Sequence, residues 1–124
     1  MLGLTGFSDL REIQKAAENN DKNCKNALKL ASYRIKKYIG GYASILNGLD
    51  AIIFTAGIGE NSSLMRKLAC ENLDFLGIIL DEEKNDLKSN ALREIQTTTS
   101  KVKILVIPTN EELEIAKQVY EFLC

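Results

Sequence analysis

The stretch whose reading decides the fold is "LDAIIFTAGIGENSSLMRKL", residues 49–68. The apolar run Ala51 to Phe54 leads into Thr55-Ala56-Gly57-Ile58-Gly59, and the polar pair Glu60-Asn61 precedes an amphipathic segment. A buried strand, a glycine turn and a helix start form a ligand loop in many folds, because the helix N-terminus offers free amides and glycine lets the backbone approach closely. Two nucleotide loops can be tested by their letters. A Walker loop ends in G-K-[ST], which is absent here. A dinucleotide fingerprint has a third glycine where Ser62 stands. What remains is a nucleoside-contacting loop, or a structural turn with Asn61 as the helix cap. Glu60 bears on the choice. A carboxylate next to a triphosphate repels it unless a cation intervenes, whereas beside a base or ribose it can accept hydrogen bonds.

Outward from this stretch the pattern is that of an α/β protein. Asp9-Leu10-Arg11-Glu12 has the D-x-x-E form of a helix start, predicting a short helix to about Glu18. From Cys24 apolar residues recur at helical spacing: Leu28, Ala31, Ile35, Tyr38, Tyr42, Ile45 and Leu49. That stripe predicts one long helix over about 22–46 with a core-facing side. Gly40-Gly41 in its middle costs about 1 kcal/mol per glycine against alanine, which close packing on a neighbour or a kink would explain. Asn47-Gly48 ends the helix, and Ala51 to Thr55 reads as a buried strand. A second helix is expected over 62–76 with Gly77 as its stop. Short strands follow at Ile78–Leu80 and Ile95–Thr98, around a polar surface helix or turn at 81–94. Val102 to Ile107 is the second strong buried strand; Pro108 ends it, and Asn110 to about Leu123 closes the chain as a helix. Continuous apolar strands alternating with helices argue for a mainly parallel sheet flanked by helices.

Composition narrows the chemistry. With 124 residues the chain is the size of one domain or part of one. A net charge of −1 gives no reason to expect nucleic acid or an acidic membrane surface as partner. No apolar run is long enough to span a bilayer. Cys24, Cys70 and Cys124 are odd in number and widely spaced, which argues against a disulfide framework or zinc site and for a reducing cytoplasm. The absence of histidine removes the commonest general base, and any metal would be a hard cation held by carboxylates.

Two further places could carry chemistry. In Pro108-Thr109-Asn110-Glu111-Glu112 the T-x-x-E spacing pairs Thr109 with Glu112 as a capping box. Glu111 then has no capping duty and is free to bind a cation, or is simply a solvated first-turn glutamate favoured by the helix dipole. In Ser8-Asp9-Leu10-Arg11 the aspartate and arginine could clamp a polar ligand, or serve as a helix cap and a surface charge.

Taken in order, "YRIKKYIGGYASILNGLDAIIF", "IFTAGIGENSSLMR", "LDFLGIILDEEKN" and "VIPTNEELEIAK" resemble the C-terminal part of the acetate kinase family, and the resemblance covers essentially the whole chain. It implies a ribonuclease-H-like α/β domain of the sugar kinase, Hsp70 and actin superfamily, with residues 1–124 as the C-terminal nucleotide-binding domain and the N-terminal domain absent. It implies an ATP- and Mg2+-dependent phosphotransferase that moves phosphate reversibly between ATP and acetate; propionate kinases share these motifs. By the same resemblance Gly57, Ile58, Gly59, Glu60 and Asn61 match the adenosine-contacting loop. Asp9, Leu10 and Arg11 match a segment near the nucleotide, and Glu111 matches a magnesium-binding glutamate. "GFSDLRE" is one residue shorter than the family's usual stretch. The family's acyl pocket, phosphate-contacting arginines, N-terminal magnesium ligand and active-site histidine belong to the portion not represented here. The resemblance further implies a cytoplasmic homodimer, and a fragment that is inactive alone.

Overall fold

The computed structural model of the chain describes residues 1–123; Cys124 lies outside the described residues. A short helix α1 (Leu2–Thr5) precedes α2 (Leu10–Glu18) and the long helix α3 (Lys22–Ile45). Strand β1 (Ala51–Phe54) then feeds two consecutive helices, α4 (Ala56–Asn61) and α5 (Ser63–Cys70). A 3-10 turn at Asp74–Leu76, helix α6 (Glu82–Asp86), strands β2 (Arg93–Glu94) and β3 (Lys103–Val106), and helix α7 (Glu111–Leu123) complete the order.

The sheet order is β1-β3-β2. β1 and β3, four residues each, pair in parallel with Ala51 opposite Lys103 and Phe54 opposite Val106, as strands joined through helices can. β2 adds to the other side of β3 in antiparallel sense, so the sheet is mixed. The expected strands at Ile78–Leu80 and Ile95–Thr98 shrink to a single antiparallel bridge between Leu80 and Gln96, and the ladder forms two residues earlier, at Arg93–Glu94.

Two cores hold the layers. On the sheet, Ile78, Ile95, Val102, Ile104 and Val106 are buried together with Cys70 and Leu73. Between α2, α3 and α5, the side chains of Ile13, Ala17, Cys24, Leu28 and Met65 form the second core. The α3 stripe predicted from sequence serves this core only in its first half. Tyr38, Tyr42 and Ile45 are exposed, the two tyrosine rings stacking with centroids 6.3 Å apart. α3 runs through Gly40-Gly41, and a Cβ at either would meet nothing within 4 Å. The close-packed neighbour that the glycines suggest is therefore not found among the described residues.

The helix expected over 62–76 ends at Cys70, and a left-handed Asn72 with φ 59° separates it from the 3-10 turn at Asp74–Leu76; a further helix, α4, precedes it. Ala56 has a left-handed φ of 58°, turning the chain sharply from β1 into α4, so the glycine segment is itself helical. Ser62 then caps a separate helix by accepting from the Met65 N–H at 3.1 Å. Burial of the Cys70 thiol pushes its pKa up to about 12, and that of Cys24 is also raised by burial, so both behave as apolar core side chains.

Candidate functional site

The site is built on the turn after β1. Gly57, Ile58, Asn61 and Ser62 line one wall of a cavity of about 940 Å3, within the range of small-molecule sites. Ser8, Asp9, Leu10 and Arg11 line the facing wall, with Gln14 and Met1 between. The structure thus brings together two segments nearly fifty residues apart that the sequence singled out separately. The Gln14 side-chain amide donates to Ser62 Oγ, fastening α2 to the start of α5.

Asp9 caps α2 and pairs with Arg11. Its Oδ1 accepts from the Arg11 N–H at 2.8 Å, and its carboxylate receives Arg11 Nε at 3.1 Å and Nη2 at 2.5 Å. The Arg11 side chain holds the Asp9 carboxyl down to about 2, with the backbone bond second. Asp9 therefore caps α2, and the Asp9–Arg11 pair also lines the cavity.

Gly57 and Gly59 differ in surroundings. A Cβ on Gly57 would meet nothing within 4 Å in the protein. A Cβ on Gly59 would sit 3.1 Å from the Phe54 carbonyl carbon, so Gly59 is where the glycine helix crosses β1 closely. Gly59 and Glu60 do not line the cavity; their carbonyls turn to Arg66. That guanidinium, 2% exposed, donates Nη1 to Gly59 O at 2.9 Å and Glu60 O at 2.8 Å. Its Nε and Nη2 donate to Asn85 Oδ1 at 2.7 Å and Asn85 O at 2.8 Å. Asn85 Nδ2 in turn donates to Ser63 O at 3.0 Å. Burial lowers the Arg66 pKa, with the charge of Arg93 adding to the shift. This strut was missed in sequence. The only signal was an arginine inside an otherwise apolar helical face, Leu64, Met65 and Leu68 surrounding Arg66.

Asn61 does not cap the next helix; Ser62 does, while Asn61 Nδ2 donates to Gly57 O at 2.9 Å within α4. The capping box expected of Thr109 and Glu112 does not form. Asn110 Oδ1 caps α7 through the Leu113 N–H at 3.0 Å, because Thr109 is engaged elsewhere. Its N–H and Oγ1 donate to Glu60 Oε1 at 2.8 and 2.9 Å. These bonds, the backbone one first, hold the Glu60 carboxyl below the usual carboxylate range. Glu111 stands exposed in the first turn of α7 beside Glu112 and Glu114. Among the described residues no three metal-ligating side chains cluster. An exposed first-turn carboxylate such as Glu111 is compatible with Mg2+, which keeps most of its waters and takes one or two carboxylates plus substrate phosphates.

The family model described as the Acetokinase family matches residues 1–117. The chain belongs to the acetokinase family. An acetate kinase of Flavobacterium johnsoniae is 61% identical over 123 residues, covering 99% of this chain and 31% of that protein. One of Carboxydothermus hydrogenoformans is 52% identical over the same length. The crystal structure of Porphyromonas gingivalis acetate kinase superposes with a TM-score of 0.86 at 39% identity, covering 99% of this chain and 31% of that one. A propionate kinase structure from Francisella tularensis gives 0.82 at 39% identity, over 93% of this chain and 29% of that one. The chain therefore spans about a third of the length of the curated relatives it matches. Its small mixed sheet and flanking helices are part of the α/β fold of acetokinases. No described helix is long and apolar enough to cross a membrane.

Proposed function

We propose that this acetokinase chain is the C-terminal nucleotide-binding part of an acetate kinase, holding the nucleoside of ATP and contributing one carboxylate for Mg2+. The observation that carries this reading is the cavity shared by Gly57, Ile58 and Asn61 on one side and Asp9, Leu10 and Arg11 on the other. An open space at the Gly57 Cα lets a ligand approach the backbone. Asn61, Arg11 and Asp9 offer polar atoms around the apolar Leu10 and Ile58, the mixture that a base and ribose require.

In the complete reaction, phosphate would pass reversibly between ATP and acetate, giving acetyl phosphate. Such transfer rests on positioning and charge neutralisation. Magnesium, when bound, would neutralise phosphate charge beside Glu111. This chain has no histidine, and no arginine is placed by the cavity except Arg11, already paired with Asp9. The chain alone therefore holds ADP or ATP but does not turn over. Acetyl phosphate formation by the purified chain, well above that of Glu111→Ala, would overturn this. The propionate kinase likeness favours a second acyl acceptor, propionate, to the same degree, since none of these residues reads acyl length.

A non-catalytic nucleotide-binding or interaction module is the reading of a different class, favoured by the exposed apolar side chains of α7 and α3. The face of α3 carrying Leu30, Tyr33, Tyr38, Tyr42 and Ile45 is also the surface on which we place homodimer formation. Sedimentation velocity in reductant showing only monomer at about 50 μM, a micromolar threshold for a weak dimer, would contradict the dimer. Calorimetric titration with Mg·ATP tests the nucleoside site itself.

A further inference from the structure

We propose that Glu60 is a positioning residue that ties the first turn of α7, and with it Glu111, to the glycine helix. The inference rests on the reading of Glu111 as a metal carboxylate for what the tie achieves, though not for its existence. Glu60 lies in the glycine segment, yet it is absent from the cavity wall formed by Gly57, Ile58 and Asn61. Its carboxylate reaches the other way. One oxygen, Oε1, accepts both the N–H and the hydroxyl of Thr109. Its own carbonyl is gripped by Arg66 Nη1 at 2.8 Å. Glu60 is thereby fixed at its backbone by a buried guanidinium and at its tip by the residue two before Glu111.

The tie matters because α7 has little else to place it. Every described residue of α7 is exposed and none is buried. The chain arrives from β3 with Ile107 N–H bonded to Phe54 O at 2.9 Å, and Pro108 removes the next donor. Thr109 is then the first residue to make a side-chain bond to the domain, and Asn110 caps the helix directly after it. A ligand carboxylate on an unpacked helix is useful only if the helix start is oriented. The Glu60–Thr109 bonds give that orientation and set it relative to the turn that carries Gly57 and Ile58. Nucleoside wall and metal carboxylate would then move as one unit.

The test compares Glu60→Ala, Glu60→Gln and Thr109→Val with the wild-type chain, each checked for fold by circular dichroism. Hydrogen exchange of the Leu113 and Glu114 amides, bonded to Asn110 Oδ1 and Asn110 O, reads the tie without any ligand. Loss of both bonds in Glu60→Ala should speed exchange about fivefold and loss of the hydroxyl bond alone in Thr109→Val about twofold, while Glu60→Gln, whose amide oxygen can still accept, stays near wild type. In ADP titrations, metal-free affinity should change less than about twofold in Glu60→Ala, whereas the gain on adding Mg2+ should be lost. Unchanged exchange in both Glu60→Ala and Thr109→Val would overturn the proposal. So would a metal-free ADP affinity that falls in Glu60→Ala and Glu60→Gln alike, the result expected of a nucleoside-contacting carboxylate. A wild-type chain that binds no ADP would count against the proposed function, and the exchange arm would still decide the tie.

Discussion

The two sides of α4 obey different rules. One side, with Gly57, Ile58 and Asn61, faces the cavity, and its hydrogen bonds stay local, from Asn61 Nδ2 to Gly57 O and from the Ser62 N–H to Ile58 O. The other side, with Gly59 and Glu60, touches the β1 backbone, Arg66 and Thr109. The five residues from Gly57 to Asn61 thus divide into a cavity side, where space is left open, and a structural side, where the polar groups are engaged. The lesson is that a glycine-rich motif need not be one functional unit. Its glycines serve different ends, and substitution should separate them.

The largest expected effect is on the structural side. Arg66→Met leaves Gly59 O and Asn85 Oδ1 without the guanidinium donor and Glu60 O with only the long bond from Arg93 Nη2 at 3.4 Å, and should cost about 3 kcal/mol of stability. Urea unfolding monitored by circular dichroism would show it as a lower midpoint. Gly59→Val follows, at about 2 kcal/mol, because its Cβ has only 3.1 Å to the strand backbone. Gly57→Val, two residues away, should shift the unfolding midpoint by less than about 0.5 kcal/mol, the range of changes that touch nothing. A Gly57→Val chain as destabilised as Gly59→Val would erase the distinction between the two sides.

Smaller still is the pH effect on the facing wall. Asp9 titrates at about 2 in the folded chain against an ordinary 3.8, held down by the Arg11 side chain. A lowered folded pKa means that the contribution is present above the unfolded value and is lost as pH falls from about 3.8 to about 2. Both groups are solvated, so the midpoint should hardly move, and the readout is the Asp9 carboxyl resonance by NMR. In Arg11→Met that resonance should return toward 3.8.

What was legible in the sequence follows the length and regularity of each signal. β1, α3, β3 and α7 lie within a residue or two of their expected bounds, because long apolar periodicity and the breaks at Asn47-Gly48 and Pro108 leave little freedom. α2 was equally clear, with Asp9 capping it as its position demands. The glycine helix was not, since two glycines in six residues argue against a helix and only the left-handed Ala56 and the close crossing of β1 make one there. Short elements also slipped: the strand expected at Ile95–Thr98 is displaced to Arg93–Glu94 and a lone bridge at Gln96, where cross-strand contacts outweigh local propensity. Both misplaced caps have one cause. Ser62 stands next to Asn61, and Asn110 next to Thr109, and sequence does not rank adjacent capping residues. At Thr109 the deciding partner, Glu60, is 49 positions away. The conjunction of Asp9, Leu10 and Arg11 with Gly57, Ile58 and Asn61 was expected from family resemblance, and the shared cavity places them together despite the shortened "GFSDLRE" segment.

The measurement that bears most directly on the account is calorimetric titration of Mg·ATP into the wild-type chain and into Gly57→Val, with both unfolding midpoints recorded. The account predicts saturable binding to the wild type, weakened at least about tenfold in Gly57→Val at nearly unchanged stability. No binding by the wild type up to about 10 mM nucleotide, or equal binding by both chains, would contradict it.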